Sequence, residues 1–303
     1  GFIGFKVLKN VIKAGKDIVD ISFFNEDPFL LNEEAEKKGL TVIVDCGISP
    51  GLSNLILGYH NKRMKVEKYE CFVGGLPTKR VLPFEYSAPF SPIDVIEEYT
   101  RPARLVEGGK IIVKSPLSEL VQIEIEPVGT LEAFNTDGLR TLLKTTRIPF
   151  MKEKTLRYPG HIEKISFLAE CGFFNTKVIQ INGGAFRPID FTSRILLPLW
   201  EQEKNQNEFT AMKIVINGKE KGRSKEHIYE LFDQYDEKTG ATSMARTTGY
   251  TCTGAAKLIL DGKFGRKGIC PPEYIGADGK LFDQIINHLA SRNIKLRHIE
   301  RDI

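Results

Sequence analysis

A chain of 303 residues with 41% hydrophobic and 27% charged content has the makeup of a globular protein of about two domains, which excludes a disordered or low-complexity polypeptide. A formal net charge of +4 with no dense basic block argues against a nucleic-acid surface, and no apolar run is long enough to span a membrane or to act as a signal peptide. Five widely spaced cysteines without a C-x-x-C pair indicate reduced thiols in a cytoplasmic protein, and no metal-ligand spacing joins them to the five histidines.

Gly4 to Ala14 sets Val7, Leu8, Val11 and Ile12 on one helical face, with Gly15 as the stop. Residues 18–22 read as a strand. Asp27 caps a second helix with Pro28 in its first turn, and Gly39 ends it. Then Val42-Ile43-Val44 begins a run without alternation, the mark of a strand buried on both faces. It ends abruptly in Asp45-Cys46-Gly47-Ile48-Ser49-Pro50-Gly51. In an open parallel sheet, ligands sit beyond the carboxyl ends of the strands, so Asp45 and Cys46 fall where a ligand is expected, with Ser22 at the same edge. Gly47 and Gly51 let the backbone turn or approach a ligand closely. Helix, strand, helix, strand with tight connections predicts half of a doubly wound α/β unit. No G-x-G-x-x-G occurs, and residues 1–4 enter a helix with no strand before it. The expectation is a polypeptide incomplete at its N-terminus, without a phosphate-binding loop.

Further along, residues 68–73 and 81–86 are predicted strands separated by a Gly74-Gly75-Leu76-Pro77 turn, and Ser91-Pro92 opens a helix through Val106. Residues 110–114, 121–128 and 131–134 are short strands, the second alternating cleanly. Helices are expected over 137–145, 161–172, 188–203, 243–261 and 279–291, and strands over 154–158, 177–182, 210–217 and 225–235. This texture is α+β. The 243–261 helix is expected to return to the first unit, which gives a partial dinucleotide-binding domain of 1–52 and 241–303 around an inserted domain of 53–240. Lys295 to His298 reads as a solvated end.

Four segments in order, residues 44–51, 74–77, 156–161 (Leu-Arg-Tyr-Pro-Gly-His) and 245–249 (Ala-Arg-Thr-Thr-Gly), resemble the saccharopine dehydrogenase-like family across nearly the whole chain, with L-lysine 6-dehydrogenase as the nearest subgroup. The resemblance implies a Rossmann domain, an inserted α+β domain for substrate binding and homodimerisation, and hydride transfer between an amino acid's side-chain amine carbon and NAD or NADP. It places Asp20, Ile21, Gly47, Ile48 and Pro50 at the cofactor, and Ser22, Ser49, Asn135 and Tyr158 at the substrate.

Amine oxidation requires a neutral amine, a hydride acceptor and a cation for the α-carboxylate. Arg157 offers the bidentate fork, a role the resemblance favours over a structural ion pair. His161 has a suitable ordinary pKa for proton transfer, although Gly160-His161 also simply starts a helix. Asp45 either orients the substrate ammonium or helps deprotonate it. Cys46 at a strand end is filler rather than a nucleophile, since hydride transfer needs none. Saccharopine carries two more carboxylates than lysine, and the uncharged Thr136 stands where saccharopine-forming relatives present an arginine. The resemblance therefore tilts towards lysine, unless Arg187 or lysines elsewhere supply the extra cations.

Overall fold

The computed structural model describes residues 2–203 and 206–303, the side chains of Pro92 and Ile93 excepted. The first unit comprises α1 (Gly4–Lys13), β1 (Ile18–Val19), a 3-10 turn (Pro28–Leu31), α2 (Asn32–Lys37), β2 (Thr41–Ile43) and α3 (Leu52–Asn61). There follow β3 (Lys65–Pro77), α4 (Pro92–Thr100), β4 (Ala103–Glu107), β5 (Lys110–Lys114), β6 (Val121–Ile125), β7 (Gly129–Asn135), α5 (Leu142–Thr145), β8 (Phe150–Arg157) and α6 (His161–Glu170). The chain continues through β9 (Ile179–Ile181), β10 (Gly184–Phe186), α7 (Pro188–Trp200), β11 (Glu208–Glu220) and β12 (Arg223–Gln234). It closes with α8 (Ser243–Leu260), β13 (Gly268–Ile269), α9 (Pro272–Gly276), α10 (Gly279–Ala290) and β14 (Leu296–Asp302).

The fold is mixed α/β. β1 and β13 both pair in parallel with β2, so the fully buried Thr41-Val42-Ile43 is the central strand of a small parallel sheet. Its core is Leu8, Ile12, Val42, Val44 and Ile269. Asp27 caps the 3-10 turn by accepting from Phe29 N, with Pro28 at its start, as Asp-Pro dictates. A second, larger mixed sheet runs β14-β12-β11-β3-β8-β4-β5, with β7 pairing β8 and β6 pairing β7. Alternation along its strands serves two cores. Met212, Ile214 and Ile216 of β11 pack with Leu55, Leu258 and Ile285, while Phe209 and Ala211 pack with Tyr99, Ile162 and Trp200. The stretch from residue 241 contributes to both sheets, through β13 and β14. No helix among the described residues is long and apolar enough to cross a membrane.

Five expectations are corrected. Gly74-Gly75-Leu76-Pro77 is not a turn but the end of the 13-residue β3. Its glycines admit close neighbours, since a Cβ on Gly74 would lie 2.8 Å from Leu156 and one on Gly75 2.8 Å from Met244. Residues 81–86 form a turn rather than a strand, consistent with Pro83, which has no N–H for a ladder. α4 stops at Thr100, because Pro102 forces Arg101 into an extended conformation (φ −80°, ψ 130°), and Ala103–Glu107 becomes β4. The helix expected over 137–145 shrinks to α5, with Arg140 just before it in the left-handed region at φ 46°. The C-terminal end, read as solvated, is β14, paired antiparallel with β12.

Candidate active site

A cavity of about 590 Å³ opens at the carboxyl edge of the small parallel sheet, where the sequence placed a ligand. Its lining includes Ile21, Ser22, Gly47, Ile48, Ser49 and Pro50, from the loops after β1 and β2. β8 also contributes to the lining. Glu153, Thr155 and Arg157 all line the cavity, because a strand points every second residue to the same face. α4 adds Glu97, Glu98 and Arg101, and Thr136, Asp137 and Gly138 close the side.

Arg157 is the most completely held of these groups. Only 2% exposed, it lies 4.2 Å over the Tyr86 ring. Its Nη2 donates to Glu98 Oε2 at 2.6 Å, Nη1 to Leu156 O at 2.9 Å and Nε to Tyr99 Oη at 3.0 Å. Nη1 and Nη2 each keep a second N–H. Tyr99 Oη in turn bonds His161 Nε2 at 2.9 Å, and His161 Nδ1 bonds the Phe84 carbonyl at 2.9 Å. A carbonyl only accepts, so Nδ1 carries the proton and Nε2 accepts from Tyr99. Burial, reinforced by the Arg157 charge, pushes His161 down to about 3. His161 is thus a neutral ring with both nitrogens used, and it is not part of the cavity wall; it positions Tyr99 and through it Arg157. Tyr158 faces away from Arg157 and donates to Pro77 O at 2.9 Å, with Arg80 over its ring.

Asp45 is also committed. Its carboxylate accepts from Arg140 Nε at 3.1 Å and Nη2 at 2.9 Å, and both side chains are almost fully buried. Its φ of 53° is one that Asp and Asn tolerate better than most residues. Asp20 lies behind the cavity wall, its Oδ1 accepting from Ser22 N at 2.5 Å and its carbonyl from Cys46 N at 2.9 Å. Asn135 is wholly buried and donates to Ser118. Burial pushes the Cys46 thiol well up, which removes its nucleophilic form. The structure therefore brings Ile21, Ser22, Gly47, Ile48, Ser49, Pro50 and Arg157 together at one cavity, and sets Asp20, Asp45, Asn135, Tyr158 and His161 behind it.

Sequence reasoning missed Glu153 and Arg101. Glu153 Oε2 accepts from Thr136 Oγ1 at 2.6 Å and from Gly138 N at 3.1 Å. Gly138 must be glycine for this contact, because a Cβ there would sit 2.3 Å from the Glu153 carboxylate. Burial raises the Glu153 carboxyl to about 7, the range in which a group exchanges protons at neutral pH. The signal was available: Glu153, Thr155 and Arg157 form a period-two polar face, hidden because the predicted strand began at 154. Arg101 donates to Glu97 Oε2 at 2.7 Å and covers the Phe23 ring; it was hidden inside an overlong helix.

Comparison with known proteins agrees with this architecture. A family model described as the saccharopine dehydrogenase C-terminal domain matches residues 44–294. The Arabidopsis thaliana alpha-aminoadipic semialdehyde synthase is 26% identical over 191 residues, which cover 58% of this chain and 18% of that protein. The Schizosaccharomyces pombe saccharopine dehydrogenase (NADP(+), L-glutamate-forming) is 24% identical over 366 aligned positions, covering 96% of this chain and 80% of that one. The chain thus spans less than a fifth of the plant relative and four fifths of the yeast one. A solved apo structure of the Saccharomyces cerevisiae saccharopine dehydrogenase (L-Glu forming) shares the fold, with a TM-score of 0.76 at 20% identity over 98% of this chain and 82% of that chain. With its family model covering most of its length, the chain belongs to the saccharopine dehydrogenase C-terminal domain family.

Proposed function

We propose that this protein is a nicotinamide-dependent oxidoreductase that cleaves the secondary amine of saccharopine, rather than one that deaminates free lysine. The observation that carries the reading is the pair of guanidinium groups, Arg101 and Arg157, that line the same cavity as Ile21 and Ile48. The lysine expectation rested on the uncharged Thr136 and the subgroup likeness, and Arg101 at the cavity offers a further cation that weighs against it. Arg187, the substitute considered from sequence, is paired with Asp190 on the surface and does not line the cavity. The names of the relatives support the same substrate, and that of the fission yeast relative supports NADP.

The apolar end of the cavity suits a nicotinamide ring. Ile21, 51% exposed, stands there with Ile48 and Pro50, and Gly47 presents no side chain. Bound there, the ring supplies a hydride acceptor. Loss of hydride and proton leaves an imine, and water adding to its carbon breaks the C–N bond; the chain's own residues bind the substrate and move its proton. Arg157 and Arg101 hold substrate carboxylates through charge-assisted bonds. Glu153, whose Oε2 is fixed by Thr136 and Gly138, takes the proton of the amine on Oε1.

Arg101 is the cleaner test of binding, since Arg157 is also woven into buried bonds. Arg101→Ala is expected to raise KM for saccharopine by about tenfold to a hundredfold, the worth of a hydrogen bond between charged groups, with a smaller change in kcat. An unchanged KM would remove Arg101 from the substrate site.

The homodimer is proposed on the exposed apolar face of α7, where Phe191, Ile195 and Leu199 are uncovered beside Phe186. Sedimentation velocity is expected to show a dimer at micromolar concentration and a monomer for Ile195→Glu. A monomeric wild type would refute it.

A further inference from the structure

Away from the cavity, three of the five histidines converge although they are far apart in sequence. Alternation along β12 puts His227 and Tyr229 on one face. In the antiparallel register with β14, Tyr229 stands opposite His298, and the two rings stack with centroids 4.2 Å apart and planes 9° from parallel. His60, in the last turn of α3, comes down on the same face, its ring centroid 4.2 Å from that of His227 and 5.9 Å from that of His298.

Ring nitrogens as well as ring faces come together here. His227 Nδ1 and His298 Nε2 are 3.1 Å apart, and His60 Nε2 is 2.8 Å from Tyr229 Oη. One ring nitrogen from each histidine lies within 4.8 Å of the other two. His60 and His227 are buried and His298 is exposed, so the cluster has one side open to solvent. His227 Nε2 is buried with no hydrogen-bond partner, a state that folds generally avoid.

We propose that His60, His227 and His298 form a zinc site that pins the end of α3 to the C-terminal strand β14. Three imidazoles are a common zinc donor set, and solvent access beside His298 leaves the fourth tetrahedral position to water. Zinc–nitrogen bonds of ~2.0–2.1 Å set ligand nitrogens about 3.4 Å apart in a tetrahedron, a spacing within reach of small ring movements from nitrogens that already lie within 4.8 Å of one another. Tyr229 fixes two of the three ligands, stacking on His298 and bonding His60, as outer-shell partners do. The site is separate from the cavity. His60 lies nine residues beyond Gly51, about 13 Å along the helix axis.

The test uses tag-free protein stripped with a chelator and titrated with Co²⁺ and then Zn²⁺. The expected result is one Co²⁺ per chain, with the visible ligand-field bands of a nitrogen-ligated ion, no thiolate charge-transfer band, and displacement by Zn²⁺. Zn²⁺ should also raise Tm. His298→Ala, at an exposed position on an edge strand, should weaken binding at least about tenfold, the loss that even an outer-shell partner causes. His227→Gln should do the same, while His288→Ala, on α10, should bind as wild type does. Absence of one-to-one binding, a thiolate band, or equal affinity in His298→Ala would each overturn the proposal.

Discussion

Glu153→Gln is expected to lower kcat/KM by about 10²–10⁴-fold, the usual contribution of a positioned general base. The change is nearly isosteric, and the amide oxygen can still accept from Thr136 Oγ1 and Gly138 N, which now hold Oε2. What disappears is the proton-accepting oxygen at the substrate. The pH profile separates this from a structural effect. Burial sets the Glu153 carboxyl at about 7, and a base works only when ionised, so wild-type kcat/KM should rise with pH through about 7 and then level off. Glu153→Gln should lack that limb. A wild-type profile flat across neutral pH, or a variant that keeps the limb, would remove Glu153 from proton transfer.

The largest expected loss of stability follows Arg140→Ala. Asp45 and Arg140 are nearly inaccessible to water, and Arg140 also donates to the Phe24 carbonyl and lies over the Phe23 ring. Removing the guanidinium leaves the Asp45 carboxylate buried without its countercharge, a change that costs about 3–5 kcal/mol. Denaturant unfolding should show it as a lower midpoint with little change in slope. Adding Asp45→Asn, which suits the left-handed backbone there and carries no charge, should recover part of the loss. A loss below about 1 kcal/mol in Arg140→Ala would show that the pair is hydrated and of surface type. The pair joins the end of β2 to the segment before α5, so its loss should also loosen the loop that carries Gly47 to Pro50.

The sequence shows most clearly what is written in punctuation. α8 was expected over 243–261 and spans Ser243–Leu260; α6 and α10 begin where Gly160 and Asp278 start them. The buried run at Val42 to Val44 announced a central parallel strand, and the cavity does sit at its end. What was not legible depends on contacts between distant segments. Gly74-Gly75 looks like a turn until Leu156 and Met244 are seen pressing on it. Arg157 looks like a vacant carboxylate clamp, and nothing local to it reveals Glu98, Tyr99 and the ring of Tyr86. His161 has the right residue type for a base, but burial beneath Tyr99 removes its proton chemistry. Glu153 was the reverse case: an unremarked acid in a strand, its carboxyl pushed up to about 7 by burial against the pull of its bonds to Thr136 and Gly138.

The central claim is the substrate, and the initial rate of nicotinamide reduction with saccharopine and with lysine as alternative substrates tests it most directly. The two-arginine cavity predicts a higher kcat/KM for saccharopine, with the advantage shrinking in Arg101→Ala. A higher kcat/KM for lysine, or no reduction with saccharopine, would contradict it.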